Sequence, residues 1–159
     1  MLGILDDVKV VELAHGLSGA FCAKLLADQG ADTIKIEPPV RGEASRREPP
    51  FLGGTPNPEQ SSLFLAYNTN KRGITLDIET PTGKDLLLRL LKDVDVLIES
   101  FSPGHLESLG LGFSELSQNN PKLILVSITP FGQTGPYKHF LSDDLIEQAM
   151  GGHLITGGD

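Results

Sequence analysis

Four segments of the sequence have unusual compositions, rich in small and turn-forming residues, and each follows a run typical of a β-strand. Glycine, serine and threonine in such places let backbone amides approach a phosphate closely, especially where a helix begins just afterwards. Tight turns favour the same residue types, so both interpretations stay open on composition alone. Ligands of open parallel α/β sheets bind at the carboxyl ends of the strands, where these segments fall. They cover residues 15–19, 38–58, 100–104 and 129–142.

Three residues in or near these segments carry charge or can titrate. His15 ends the first predicted strand, where a histidine is more often a hydrogen-bonded structural residue than a catalyst. Lys71 and Arg72 place two adjacent cations ahead of a strand and could hold phosphates through charge-assisted hydrogen bonds. A solvated basic turn is the commoner role for such a pair.

Metal and dinucleotide sites are not predicted. Neither His105, His139 nor His153 has a zinc-like spacing to cysteine or carboxylate, so we expect no metal. The turn at 15–20 lacks the G-x-G-x-x-G order of a dinucleotide site, although Glu37 ends a strand where an NAD enzyme would hold ribose. An NAD-dependent enzyme is therefore disfavoured, and the absence of NADH binding in a fluorescence titration would remove it.

The composition is that of an ordinary globular chain, with 39% hydrophobic and 21% charged residues in a length of 159. A formal net charge of −8 argues against nucleic acid or an anionic membrane as a partner. No run is long and apolar enough for a membrane span, and the start lacks a signal peptide. The single cysteine, Cys22, cannot form an internal disulfide, so we expect a cytoplasmic protein in which Cys22 is a buried small hydrophobe.

Alternating β-branched and helical runs predict an α/β fold with a parallel sheet. The strand 123–128 is the most hydrophobic, and we expect it at the centre of the sheet. Thr80 followed by Pro81 predicts a helix start, and Asp143 or Asp144 is expected to cap the last helix. The predicted strands are 8–13, 33–37, 74–78, 96–99 and 123–128, and the main helices are 20–28, 61–67, 81–92 and one that ends near 150.

Together these segments resemble the family III CoA-transferases, the CaiB/BaiF group, which also contains the α-methylacyl-CoA racemases. The resemblance implies a Rossmann-like large domain of which residues 1–159 form the N-terminal part, without the small domain. It also implies a CoA site at the strand ends and full-length subunits that interlock as a homodimer. The matching segments are 5–13, 25–38, 70–77, 95–104, 132–137 and 144–152.

The resemblance implies a mechanism and a set of contacts for coenzyme A or acyl-CoA. An aspartate attacks the thioester to give a mixed anhydride, CoA thiolate leaves and returns, and the acceptor acid departs as its thioester. Asp144 is the expected supporting active-site carboxylate. The expected CoA contacts are His15, Leu17, Ser18, Leu76, Asp77, Ser100, Phe101, Ser102, Leu141, Ser142 and Asp143, with Lys71 and Arg72 as phosphate candidates.

Three departures from the family pattern affect these expectations. Ser100 stands where members commonly carry Asn, and Ser108 stands where they carry Arg, which puts one phosphate contact in doubt. The racemases carry a catalytic histidine before the aspartate that matches Asp144, whereas this chain has Asp143 there. A carboxylate is a poor substitute for that base, so a racemase is the weaker interpretation.

Two functional hypotheses remain from different classes. The first is an acyl-CoA transferase whose nucleophilic aspartate lies beyond residue 159, so that this chain alone is inactive; Asp159 itself matches the preceding turn. The second is a non-catalytic fragment that binds CoA or a partner. Separate measurements of CoA binding and CoA transfer would distinguish them, because binding without turnover favours the fragment.

Overall fold

Short apolar runs pair as five parallel strands, as predicted for an α/β fold. A computed structural model describes residues 3–157 of the chain. The strands lie in the order β3-β2-β1-β4-β5, and every neighbouring pair is parallel. Their bounds are β1 Lys9–Glu12, β2 Asp32–Glu37, β3 Arg72–Thr75, β4 Val96–Glu99 and β5 Ile124–Ser127.

The central strand is β1, which corrects the expectation that 123–128 would be central. β5 forms one edge of the sheet, and its first residue, Ile124, is 58% exposed. Leu125 packs in part against the core cluster on one face of the sheet and Val126 against the cluster on the other, and such packing does not fix the order of strands. β3 also starts two residues earlier than predicted and ends at Thr75, opposite Glu37, because Pro38 then ends its partner strand.

Helices cover both faces of the sheet. α1 begins at Gly16, four residues before the predicted start, because glycine adopts the positive φ of 72° that the turn requires. The hydroxyl of Thr80 accepts a hydrogen bond from the Gly83 N–H, so it caps α3 as predicted. The helix bounds are α1 Gly16–Asp28, α2 Ser62–Tyr67, α3 Pro81–Leu90, α4 His105–Ser108, α5 Phe113–Asn119 and α6 Asp144–Met150.

Two apolar layers hold these helices to the sheet. α1 packs on the face that presents Val10 and Ile98, where small residues such as Ala23 let the helix approach closely. α3, α4 and α5 pack on the opposite face, against side chains such as Val11 and Leu97. Within residues 3–157, no helix is long and apolar enough to cross a membrane.

Candidate functional site

The chain reverses its direction of strand addition at β1, because β2 lies on one side of β1 and β4 on the other. Such a switch point opens a crevice at the carboxyl ends of the strands, where ligands of this architecture bind. Here the crevice is bridged by a pair of hydrogen bonds. The His15 N–H donates to Ser100 Oγ at 2.8 Å, and the Ser100 hydroxyl donates to the His15 carbonyl at 3.0 Å. Two predicted site residues therefore meet at the switch point.

A cleft of about 450 Å³ lies on one side of His15, and we call it the proline-walled cleft. Phe101 packs edge-on against the His15 ring at 5.3 Å and lies 4.7 Å from the ring of His105. Burial against these neighbours lowers the pKa of His15, and the nearby carboxylate of Glu43 opposes this effect in part. The lining residues are Leu13, His15, Ile36, Glu37, Pro38, Pro39, Val40, Leu76, Asp77, Ile78, Glu79, Phe101 and His105.

Two more clefts lie on the other side of Ser100. The switch-point cleft, of about 690 Å³, lies between the start of α1, the end of β5 and α6. The β5 cleft, of about 250 Å³, lies between the loops that follow β4 and β5. Both are lined by Ser100, Thr129 and Pro130. The switch-point cleft is also lined by Leu17, Ser18 and Glu147, and the β5 cleft by Phe101, Ser102, Lys138, Leu141 and Ser142.

These clefts bring together most of the residues predicted as CoA contacts. His15, Leu76, Asp77 and Phe101 come from three different strand ends and line the proline-walled cleft. The predicted residues that line the other two clefts are His15, Leu17, Ser18, Ser100, Phe101, Ser102, Leu141 and Ser142. Lys71, Arg72, Asp143 and Asp144 line none of the three.

Lys71 lies inside the fold rather than at a cleft. Its Nζ atom lies 2.7 Å from Glu12 Oε2 and also donates to the Ala20 carbonyl and the Asn68 side chain. The side chain is 2% exposed. Burial lowers the pKa of Lys71, and the Glu12 carboxylate partly opposes that shift. These contacts give Lys71 a structural role between β1, α1 and α2.

Arg72 points to the opposite end of the sheet. Its guanidinium donates to both carboxylate oxygens of Asp32, at 2.9 and 2.6 Å, and Asp32 begins β2. The carboxyl ends of the strands, with their clefts, lie at the other end of the ladder. The two adjacent cations therefore do not form one phosphate site.

Asp143 and Asp144 begin α6 at the surface. The Asp143 carboxylate accepts a hydrogen bond from the Ile146 N–H at 3.0 Å, so Asp143 caps this helix. Asp144 is exposed and accepts from the Gln148 side chain at 2.6 Å. Within residues 3–157, neither carboxylate forms a hydrogen bond with another predicted site residue.

The start of α1 already holds an anion from the chain itself. Oε1 of Glu43 accepts from the Gly16 N–H at 2.8 Å, and the whole residue is 1% exposed. The composition of segment 15–19 is compatible with either a phosphate site or a tight turn. The Glu43 carboxylate occupies the position that a phosphate would take, so the tight turn is the favoured interpretation. Glu43 also accepts from the backbone N–H of Ser45 and from its hydroxyl.

The long loop 38–58 is fastened to the sheet by a second carboxylate. Nε and Nη2 of Arg46 donate to Glu37 at 2.7 and 2.8 Å, and the guanidinium lies 3.7 Å from the centre of the Phe64 ring. Burial alone would raise the pKa of Glu37, but the Arg46 hydrogen bonds and the Glu43 N–H hold it below its ordinary value. The loop is thus an ordered wall of the proline-walled cleft.

Several residues at the site were not predicted as contacts from the sequence, among them Glu43, His105, Thr129 and Lys138. Within residues 3–157, Lys138 is the only lysine or arginine that lines any of these three clefts. A buried loop carboxylate such as Glu43 leaves no sequence signal, whereas Thr129 and Lys138 lie in the 129–142 segment and could have been singled out there.

Two further kinds of chemistry would require a cluster of metal ligands or a reactive thiol at Cys22. Residues 3–157 contain no group of three or more His, Cys, Asp or Glu side chains that could hold a metal ion. Cys22 is partly exposed rather than buried. Burial and the Glu12 carboxylate raise the pKa of the thiol, which disfavours the thiolate form.

Comparison with known proteins gives one family. The model of CoA-transferase family III matches residues 5–159. The succinyl-CoA–D-citramalate CoA-transferase of Chloroflexus aurantiacus is 44% identical over 154 residues, which are 96% of this chain and 37% of that protein. The succinate–glutarate CoA-transferase of Agrobacterium fabrum is 44% identical over 156 residues, 96% of this chain and 39% of that protein.

A solved structure agrees with these sequence relatives. The crystal structure of a CaiB/BaiF family protein from Brucella suis superposes with a TM-score of 0.86 at 42% identity, over 96% of this chain and 40% of that one. The chain therefore spans about two fifths of the length of the relatives it matches.

Proposed function

Because this chain belongs to CoA-transferase family III, we propose that it is the CoA-binding portion of an enzyme that transfers CoA from an acyl-CoA to a carboxylic acid. In this proposal residues 1–159 are the N-terminal part of a larger CoA-binding domain. The enzyme is cytoplasmic, and its full-length subunits form an interlocked homodimer. A single cysteine, which cannot form an internal disulfide, supports a reducing compartment.

The observation that carries the proposal is the meeting of three strand ends at one cleft. His15 follows β1, Leu76 and Asp77 follow β3, and Phe101 follows β4, yet all four line the proline-walled cleft. An aromatic ring and a row of apolar residues suit a flat base, and His15 and Asp77 can hydrogen-bond to its edge or to a sugar. Lys138, which lines the β5 cleft together with Phe101, supplies a cation for a phosphate.

The chemistry needs a carboxylate that attacks the thioester carbonyl. The attack expels CoA thiolate and forms a mixed anhydride, and the thiolate then returns so that the acceptor acid leaves as its own thioester. We assign the attack to an aspartate beyond residue 159 and give Asp144 a supporting role. Asp144 is exposed, and Gln148 is its side-chain partner within residues 3–157, so its carboxylate is accessible for this supporting role.

Two observations bear on the alternatives. The position before Asp144 is a carboxylate that caps α6, which supports a transferase over a racemase with a histidine base there. A fragment that binds CoA or a partner without catalysis is the second candidate function, because the chain spans only about two fifths of its relatives.

The test separates binding from turnover. Calorimetric titration of the 159-residue chain with CoA should give saturable binding, and Phe101→Ala should weaken it about ten-fold because the ring forms a wall of the cleft. Phe21→Ala removes a half-exposed ring on α1, away from the clefts, and should leave binding unchanged. Absence of CoA binding by the unmodified chain would refute the proposal.

Transfer is measured in parallel by chromatography of CoA thioesters, with succinyl-CoA as donor and citramalate or glutarate as acceptors. We expect no product from this chain alone. Product formed by the chain alone would refute the assignment of the nucleophile to a residue beyond 159, while leaving CoA transfer itself supported.

A further inference from the structure

Thr129 follows β5 at the point where the switch-point cleft and the β5 cleft meet. Its Oγ1 atom is buried and has no hydrogen-bond partner among the described residues, the only such side-chain atom within 3–157. The Ser100 hydroxyl lines the same two clefts, but it is already used in both directions by the His15 backbone.

A buried hydroxyl without a partner destabilises the unliganded chain, because it loses its hydrogen bonds to water and gains none in exchange. Buried polar groups in native proteins nearly always have a partner, so an exception calls for an explanation. A ligand group that hydrogen-bonds to Oγ1 would remove this cost on binding. Because Thr129 lines two clefts, a ligand bound in either cleft could reach its hydroxyl.

The walls around Thr129 define the chemistry of such a ligand. Ile128, Pro130 and Met150 give the switch-point cleft apolar walls in which Glu147 is the acidic residue, and Phe140 and Leu141 give the β5 cleft apolar walls. Among residues 3–157, Lys138 of the β5 cleft is the only lysine or arginine that lines either cleft. The passage at Thr129 therefore fits a thin, uncharged chain that carries isolated hydrogen-bonding groups.

We infer that Thr129 is a binding residue for the pantetheine arm of CoA, and that its hydroxyl hydrogen-bonds to an amide of that arm. The inference rests on the proposed function and deepens it, since it divides the site into two parts. The proline-walled cleft takes the nucleotide end, and the junction of the other two clefts takes the arm.

The test compares two ligands and three variants. Thr129→Val keeps the shape of the side chain and removes the hydroxyl, so CoA should bind about 3- to 10-fold more weakly. Adenosine 3′,5′-bisphosphate, which lacks the arm, should bind Thr129→Val as it binds the unmodified chain. Thr129→Ser keeps the hydroxyl and should bind CoA within about two-fold of the unmodified chain. Thr134→Val changes an exposed threonine that lines neither cleft and should have no effect on either ligand.

The thermal stability of the unliganded chain distinguishes a binding role of Thr129 from a purely structural role, because the two roles predict different effects of Thr129→Val. Because the hydroxyl lacks a partner, Thr129→Val should leave the thermal midpoint unchanged or raise it by about 2 °C. A threonine that held the fold through this hydroxyl would lose stability on the same change. Thr129→Ala provides a second hydroxyl-free variant if valine prevents folding.

The outcomes separate the two claims. If the unmodified chain does not bind CoA, the proposed function fails and the inference falls with it. If it binds CoA and Thr129→Val binds CoA equally well, the inference alone is wrong. Equal weakening of CoA and of adenosine 3′,5′-bisphosphate would also overturn it, because the effect would not be specific to the arm.

Discussion

Glu12 is a charged residue at the end of the central strand, and it is fully buried. Its two carboxylate oxygens contact Lys35 Nζ at 2.6 Å and Lys71 Nζ at 2.7 Å. One buried anion thus joins β1 to β2 and to the segment ahead of β3. Removing the anion leaves two buried ammonium groups side by side, whereas removing Lys71 leaves a neutral pair.

This asymmetry predicts unequal costs for two substitutions. Glu12→Gln should lower the free energy of unfolding by about 3–5 kcal/mol, because it leaves uncompensated buried charge. Lys71→Met should lower it by about 1–3 kcal/mol, because it leaves acceptors without a donor but no unpaired charge. Urea denaturation followed by circular dichroism measures both.

Lys24→Met provides the matched control, since Lys24 forms an i,i+4 pair with Asp28 at the helix surface. It should change the free energy of unfolding by less than about 0.5 kcal/mol. A larger loss of unfolding free energy for Lys71→Met than for Glu12→Gln would contradict the charge argument.

The sequence could not predict this network, because the side chains of two adjacent residues point in different directions. Lys71 donates to the Ala20 carbonyl in α1, whereas Arg72 donates to Asp32 at the amino end of the sheet.

The proline, glycine and charged residues of loop 38–58 predict a functional or mobile loop. In the structure, buried carboxylates hold this loop in place. Glu43 fastens it to the start of α1, and Glu37 fastens Arg46 to the end of β2. The loop in turn carries Pro38, Pro39 and Val40 into the wall of the proline-walled cleft.

Glu43→Ala should release this loop. Without the carboxylate, the backbone N–H groups of Gly16 and Ser45 lose their acceptor, and we expect faster tryptic cleavage at Arg46 and Arg47 by about ten-fold. Glu43→Gln keeps an acceptor oxygen in the same place and should stay within about two-fold of the unmodified chain. Equal cleavage of the two variants would show that the hydrogen bonds of Glu43 do not hold the loop.

Predictions of individual helices and strands were correct where a local sequence signal determines the structure. The cap at Thr80 and the strand at Val96–Glu99 are confirmed. It was wrong on the place of β5, because a hydrophobic strand can be covered on both faces and still lie at an edge. The candidate clefts follow from the carboxyl ends of the strands, whereas Glu43 required the path of a long loop that no local pattern specifies.

At the scale of the whole molecule, α6 and the segments next to it in the chain carry many exposed apolar side chains. α6 packs mainly against the 3₁₀ turn His153–Thr156 rather than against the sheet. Leu145 is 64% exposed and Met150 63% exposed on this helix. Further exposed apolar side chains close to α6 in the chain are Tyr137, Phe140, Leu141, Ile146, Leu154 and Ile155.

An apolar surface of this kind is not left open to water by a stable monomer. We therefore expect the 159-residue chain to associate with itself, so that its average mass in sedimentation equilibrium rises with concentration. The double variant Leu145→Glu, Met150→Glu should shift that equilibrium toward the monomer by about ten-fold or more in dissociation constant, because it places charges on the surface that would be buried.

A second double variant provides the control for added charge. Leu86→Glu, Phe113→Glu adds the same two carboxylates at exposed apolar positions on α3 and α5, away from α6. Since general repulsion between acidic chains would act equally in both variants, only a specific role of the α6 surface predicts a difference between them. Equal dissociation in the two variants, or an unmodified chain that stays monomeric at all concentrations, would contradict the expectation that the 159-residue chain associates through the α6 surface.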